Sequence, residues 1–199
     1  TVRMPQHPIA LDLIKASGVP IVAPSANRYQ SISPTTAKHV ADGLGASVDM
    51  ILDGGACTVG VESTILDLTS EKPVILRAGG TTKEAIEEFL GTMIEISSGN
   101  PNQPTAPGQL LRHYAPQKKL SINVNNPSED EFFIGFGDLD GDLNLSKSGS
   151  LSEAASNLFA FLRIADSQKQ YPKIAVAPIP TTGLGLAIND RLMRASHLR

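Results

Sequence analysis

One cysteine, Cys57, no tryptophan and only 5% aromatic residues mark this 199-residue chain by what it lacks. A lone cysteine excludes an intramolecular disulfide and any Cys-rich zinc site, and such usage fits a reducing cytoplasm. Cationic charge is in no excess: 17 Lys and Arg stand against 20 Asp and Glu, a formal net charge of −3. That balance argues against binding nucleic acid by phosphate neutralisation alone, so any RNA contact is expected to be local. No apolar run reaches the roughly 18 residues of a membrane helix. His7, His39, His113 and His197 are scattered without a metal-ligand spacing, and no metal site is read. The opening TVRMPQHP lacks the charged-then-apolar order of a signal peptide and reads as the middle of a fold. What is present, 41% apolar and 19% charged residues, is ordinary for a globular protein.

Residues 8–17 read as a helix with Pro8 in the first turn and Gly18 past its end, followed by a buried strand at 20–24. A polar loop, APSANRYQSISPTT (23–36), leads to a helix stopped by Gly43 or Gly45 and a second apolar strand at 48–52. Strands are expected at 61–68, 73–77 and 92–96, with a capped helix at 81–90 before the last of them. Residues 1–96 thus form an α/β layer around one sheet. The Pro- and Gly-rich stretch 97–109 reads as a linker, ending in LLRHYAP (110–116). Beyond it, strands at 120–124, 132–137 and 173–180 alternate with helices at 151–166, capped by Ser150 or Ser152, and 184–196. That order predicts a small Rossmann-like domain over 119–199, with 97–118 as the interdomain linker.

GFGDLDGD (135–142) invites two motif readings, and both fail on spacing. Its glycines give GxGxxxG rather than the dinucleotide fingerprint. Its acids begin like a calcium loop, yet Gly149 stands where the bidentate Glu belongs. It is expected to be a plain loop. Ser25, Ala26 and Asn27 stand where an apolar strand should end, the edge at which open α/β sheets place ligands, with Ser33, Thr35 and Thr36 just ahead of a helix N-terminus. Ser33 or Thr35 as a helix N-cap and Asn27 as a turn former would explain the same stretch without a ligand. Glu62, Ser63 and Thr64 interrupt an apolar strand, and a buried polar group costs about 1–3 kcal/mol unless partnered. Arg77 precedes two glycines that permit close backbone approach. No nucleophile with its base is legible, so direct in-line chemistry on a nucleotide fits better than covalent catalysis.

VRMPQHP, APSAN followed by SPTTAKHV, LDGG, GVESTILDL, ILRAGG, PGQLLRHYAP, LRIAD and GLGLAINDRLMRAS occur in an order that resembles the Sua5/YrdC family of threonylcarbamoyl-AMP synthases. The resemblance implies the C-terminal part of a YrdC-like twisted open mixed sheet with helices, joined by a linker to a Sua5-type C-terminal domain. It also implies synthesis of threonylcarbamoyl-AMP and pyrophosphate from ATP, L-threonine and bicarbonate, toward t6A at position 37 of tRNA, in company with other t6A-pathway proteins. By position in these motifs, Arg3, Ser25 and Ser63 face L-threonine and its carbamate. Asn27, Ser33, Arg77 and Tyr114 face ATP, with Thr64, Arg112 and His113 as neighbours. Mg²⁺ is expected on the phosphates, with few protein ligands.

The chain departs from the family pattern in three places. Arg28-Tyr29-Gln30 follow Asn27 where the family has x-Ser-Gly, and LRAGG replaces LRPGG. The family's N-terminal half, with its Lys-x-Arg signature, is not in the sequence, so a complementary N-terminal half is an expected partner. The alternative reading is a catalytically incomplete fragment that binds nucleotide or tRNA.

Overall fold

The computed structural model describes residues 1–97, 106–108 and 110–197. The expected linker at 97–109 therefore lies mostly outside the described residues. The fold divides into two units, residues 1–28 with 33–57, and residues 29–32 with 58–199.

In the first unit, helix α1 (Pro8–Ser17) starts on Pro8 and ends where Gly18 turns left-handed at φ 64°, its N–H reaching Ile14 O. Helix α2 (Ala37–Leu44) is capped by Thr36, whose hydroxyl accepts the His39 N–H. It runs through Gly43 and stops at Gly45, φ 51°. Neither helix buries a residue. His7 Nε2 meets Gly54 O at 3.1 Å, joining the unit's first and last segments.

The strands expected at 20–24 and 48–52 do not appear among the described residues. Val22 is 94% exposed and Met50 76%. Apolar content alone does not make a strand; its N–H and C=O groups need a ladder partner, and none pairs with them here.

The second unit carries both sheets. Strands β1 (Ile65–Asp67) and β2 (Val74–Arg77) pair antiparallel, Ile65 opposite Arg77, with an irregularity after Ile65. Helix α3 (Lys83–Leu90), capped by Thr82, then carries the chain over to β3 (Glu95–Ile96), parallel to β2. These strands are shorter than expected. Glu62, Ser63 and Thr64 stay out of the ladder because their groups are taken elsewhere, as described below.

The second sheet is parallel throughout, in the order β4 (Lys119–Ser121), β7 (Lys173–Val176), β5 (Glu131–Gly135), β6 (Leu143–Asn144). Strand β6 was not foreseen, being two residues long. Helix α4 (Leu151–Ser167) connects β6 to β7, and α5 (Leu184–Ser196) follows β7. Ser150 caps α4, its hydroxyl accepting the Glu153 N–H. Phe132 to Gly135 are buried without alternation, the pattern of a parallel strand covered on both faces. Ile134, Ile174, Val176, Leu158, Phe159, Leu162, Ile188 and Leu192 form the core with Tyr114. The 135–142 loop uses its acids internally: Asp142 accepts the Phe133 N–H at 2.8 Å and the Tyr171 hydroxyl at 3.0 Å.

The chain is thus α/β, with a mixed sheet and a parallel sheet, as the sequence pattern predicts.

Candidate functional site

The first unit holds Arg3, Ser25, Asn27 and Ser33, and the second holds Ser63, Thr64, Arg77, Arg112, His113 and Tyr114. In the first, Arg3 and Ser25 are exposed and Ser33 is buried. Asn27 Nδ2 donates to Arg28 O, and Arg28 Nε donates to Gly43 O at 3.0 Å, so the loop folds back on the end of α2. Thr35 N–H donates to His39 Nδ1, and Thr35 O accepts the Cys57 N–H at 2.9 Å. The α2 cap is the Thr36 hydroxyl, where Ser33 or Thr35 was expected, and the Thr35 hydroxyl lies 3.3 Å from His39 Nδ1.

In the second unit the polar groups converge. Arg77, at the end of β2, donates through Nη2 (2.7 Å) and Nε (3.3 Å) to Ser63 O, and through Nη1 to Pro107 O at 3.2 Å. Among the described residues the Ser63 hydroxyl has no protein partner, while Thr64 Oγ1 donates to Thr81 O. A Cβ at Gly79 would lie 2.3 Å from Glu62 O, so only glycine lets the 78–80 loop lie against that strand. Gly80 N–H donates to the same Glu62 carbonyl at 3.0 Å.

Tyr114 is 1% exposed and holds φ 60°, a left-handed conformation that costs a residue with Cβ about 1–2 kcal/mol. Its ring stacks on Phe159 and meets His113 edge-on, with centroids at 5.4 and 4.0 Å. Next to it, Ala115 N–H donates to Gln30 O at 2.9 Å, and Ser31 bridges Ala115 in parallel. Residues 29–32, the middle of the polar loop, are thereby fastened to the HYAP segment. Gln30, at the family's glycine position, sits at φ 63°.

A buried charge network missed by the sequence reading underlies this cluster. Arg191, 0% exposed, donates Nε to Glu62 Oε2 at 3.0 Å and Nη1 to Ala78 O and Asp190 Oδ2 at 2.8 and 2.9 Å. Its guanidinium carbon stands 5.5 Å from the Tyr114 ring centre. Arg194 bonds Asp190 Oδ1 and Leu110 O. The legible signal was an arginine on an apolar helix face, three residues after Ile188 and one before Leu192.

Three guanidiniums here face two carboxylates, an arrangement that can accept an anion. Burial and the nearby Arg191 charge lower the Arg77 pKa. Burial works against Arg191's charge as well, but Glu62, Tyr114 and Asp190 outweigh it and raise its pKa. Burial lowers the His113 pKa against the pull of Glu62, and raises that of Tyr114. Arg112 lines a cavity of about 260 Å³ with Lys118, Lys119 and His197. Among the described residues no three His, Cys, Asp or Glu side chains converge to hold a metal.

Comparison with known proteins gives two family matches. The Sua5, YciO and YrdC model, described as telomere recombination, matches residues 1–79, and the threonylcarbamoyl-AMP synthase C-terminal domain matches 81–197. The threonylcarbamoyl-AMP synthase of Bacillus subtilis is 38% identical over 98% of this chain and 62% of its own length. That of Pyrococcus abyssi is 37% identical over 100% of this chain and 64% of its own. A crystal structure of P. abyssi Sua5 complexed with L-threonine superposes with a TM-score of 0.85 at 36% identity, over 98% of this chain and 63% of that one. The chain thus spans less than two thirds of the length of these relatives.

Proposed function

Because this chain belongs to the Sua5/YrdC family, we propose that it works as part of an L-threonylcarbamoyladenylate synthase, a nucleotidyltransferase serving t6A formation in tRNA in the cytoplasm. Threonine's amine condenses with bicarbonate, releasing water, to give a carbamate, and a carbamate oxygen attacks the α-phosphorus of ATP. The bond to the β-phosphate breaks and pyrophosphate leaves. Arg3, Ser25 and Ser63 are assigned to L-threonine and its carbamate; Asn27, Ser33, Arg77 and Tyr114 to ATP; Thr64, Arg112 and His113 to their surroundings. Residues 1–96 act as the catalytic portion, 97–118 as the linker and 119–199 as the C-terminal domain.

The observation that carries this reading is the second-unit cluster. There Arg77 holds the carbonyl of Ser63, whose hydroxyl is uncommitted, and flanks Gly108 together with the buried Tyr114, amid an excess of guanidinium charge. Preorganised donors of this kind stabilise charge that builds on phosphate during adenylyl transfer. The described residues do not form a cage for Mg²⁺. No step is assigned to the metal here; the nucleotide's own phosphates are its natural ligands.

The test is threonine- and bicarbonate-dependent ATP–pyrophosphate exchange, with the chain alone and with the chain mixed with the N-terminal region of the P. abyssi relative. Exchange in either arm supports the reading. Calorimetric binding of ATP or tRNA without exchange supports the alternative of a binding module, and neither exchange nor binding overturns both.

A further inference from the structure

The buried network around Arg191 is not part of the site residues assigned above, yet it touches every element that carries those of the second unit. Its Nε holds the carboxylate of Glu62, the residue before Ser63. Its Nη1 holds Ala78 O, at the start of the loop after Arg77. Its planar face approaches Tyr114. Asp190, the adjacent acid, is shared with Arg194, which in turn binds Leu110 O just ahead of the HYAP segment.

Generic core filling does not account for this. An arginine buried for bulk alone would be replaceable by apolar residues, and such replacement is often neutral or stabilising. Here a single guanidinium reaches three chain segments at once: the strand edge before β1, the loop after β2 and the linker. It also lies beside a tyrosine whose backbone is held in a costly conformation. Strained backbone persists only where its surroundings over-determine it. A lysine, with one compact ammonium on a flexible stem, cannot reproduce the fork.

We propose that Arg191 is a positioning residue by which the C-terminal domain sets the geometry of the substrate-facing groups, holding Glu62–Ser63, Ala78 and Tyr114 in one register. The proposal rests on the functional reading above only for the identity of the ligand. Arg191 itself touches no substrate; it acts through Glu62, Ala78 and Tyr114. Ser63, Arg77 and Tyr114 are then poised before ligand arrives, and the ordering entropy is spent on folding rather than on binding.

The experiment compares Arg191→Lys, the paired Arg191→Met/Glu62→Gln, and Phe133→Ala, which loosens the same domain's core in a separate cluster with Ala175 and Ala177 that holds neither Tyr114 nor the network. The pair keeps the test sound where a lone Arg191→Met would leave the half-buried Glu62 carboxylate without its guanidinium. Each folded variant is followed by the Tyr114 ring resonances in NMR and by trypsin cleavage after Arg112, then by calorimetry with ATP and with L-threonine. Positioning predicts that both Arg191 variants shift Tyr114 and quicken cleavage, and where the parent binds ligand, weaken it roughly tenfold or more. Phe133→Ala should lower the urea midpoint and leave Tyr114 and affinity as in the parent. If Tyr114 and cleavage are unchanged in Arg191→Lys, or move equally in Phe133→Ala, the proposal is overturned. If the parent binds neither ligand while Tyr114 still moves selectively, the functional reading fails and the positioning role stands.

Discussion

At Gln30 the φ of 63° is a conformation glycine adopts freely and glutamine does not. The carbonyl of Gln30 carries the bond to Ala115, so this backbone turn is tied to the HYAP segment. Gln30→Gly is therefore expected to raise stability by about 0.5–1 kcal/mol, the relief of strain exceeding the entropy glycine loses on folding. An unchanged or lower urea midpoint would refute this. His113 makes a prediction in pH. Its folded pKa lies below the ordinary value of about 6.5, so the unfolded chain binds the proton more readily. Its contribution is complete above that ordinary value and is lost as pH falls toward the depressed one. Urea midpoints between pH 7.5 and 5 should decline in the parent and decline less in His113→Gln; identical slopes would show that this ring does not titrate in that window.

At the scale of elements, capped helices were legible and strands only in part: the readings at 73–77, 132–137 and 173–180 hold β2, β5 and β7, while others shrank or did not form. Pro8, Thr36, Thr82, Ser150 and the glycines after α1 and α3 act on neighbours within four residues, so their signals are in the local sequence. Strand identity depends on a partner far along the chain, which explains the loss of 20–24 and 48–52 and the shrinkage of 61–68 to three residues. The same contrast holds for the site. Ser63, Arg77 and Tyr114 stood in recognisable motifs, whereas Arg191 could be seen only as a charge on an apolar face, its partner Glu62 lying 129 residues away. Ser150→Ala should cost about 1 kcal/mol through the lost α4 cap, read as a lower urea midpoint; a variant as stable as the parent would mean the helix start is held by packing instead.

At the scale of the whole molecule, burial is uneven. The apolar core is built from the second unit's parallel sheet and helices α4 and α5, while α1 and α2 bury nothing fully. Local opening free energies follow buried contact. Amide hydrogen exchange should thus be fast across 19–24 and 48–52 and slow in β5, β7 and α4. Comparable protection in both regions would contradict the described burial.

The bond between Glu62 and Arg191 also imposes an order on events during synthesis. Glu62 leaves the ribosome 129 residues ahead of its counter-ion, a delay of about 6–26 seconds at roughly 5–20 residues per second. Throughout that interval its carboxylate remains in water, and the strand edge beside it has nothing to close on. The nascent chain cannot assemble the Ser63 and Arg77 cluster in its final form until its closing helix has emerged. Translation that stops short of α5 yields a chain with every proposed ligand-facing residue and no means of setting those of the second unit.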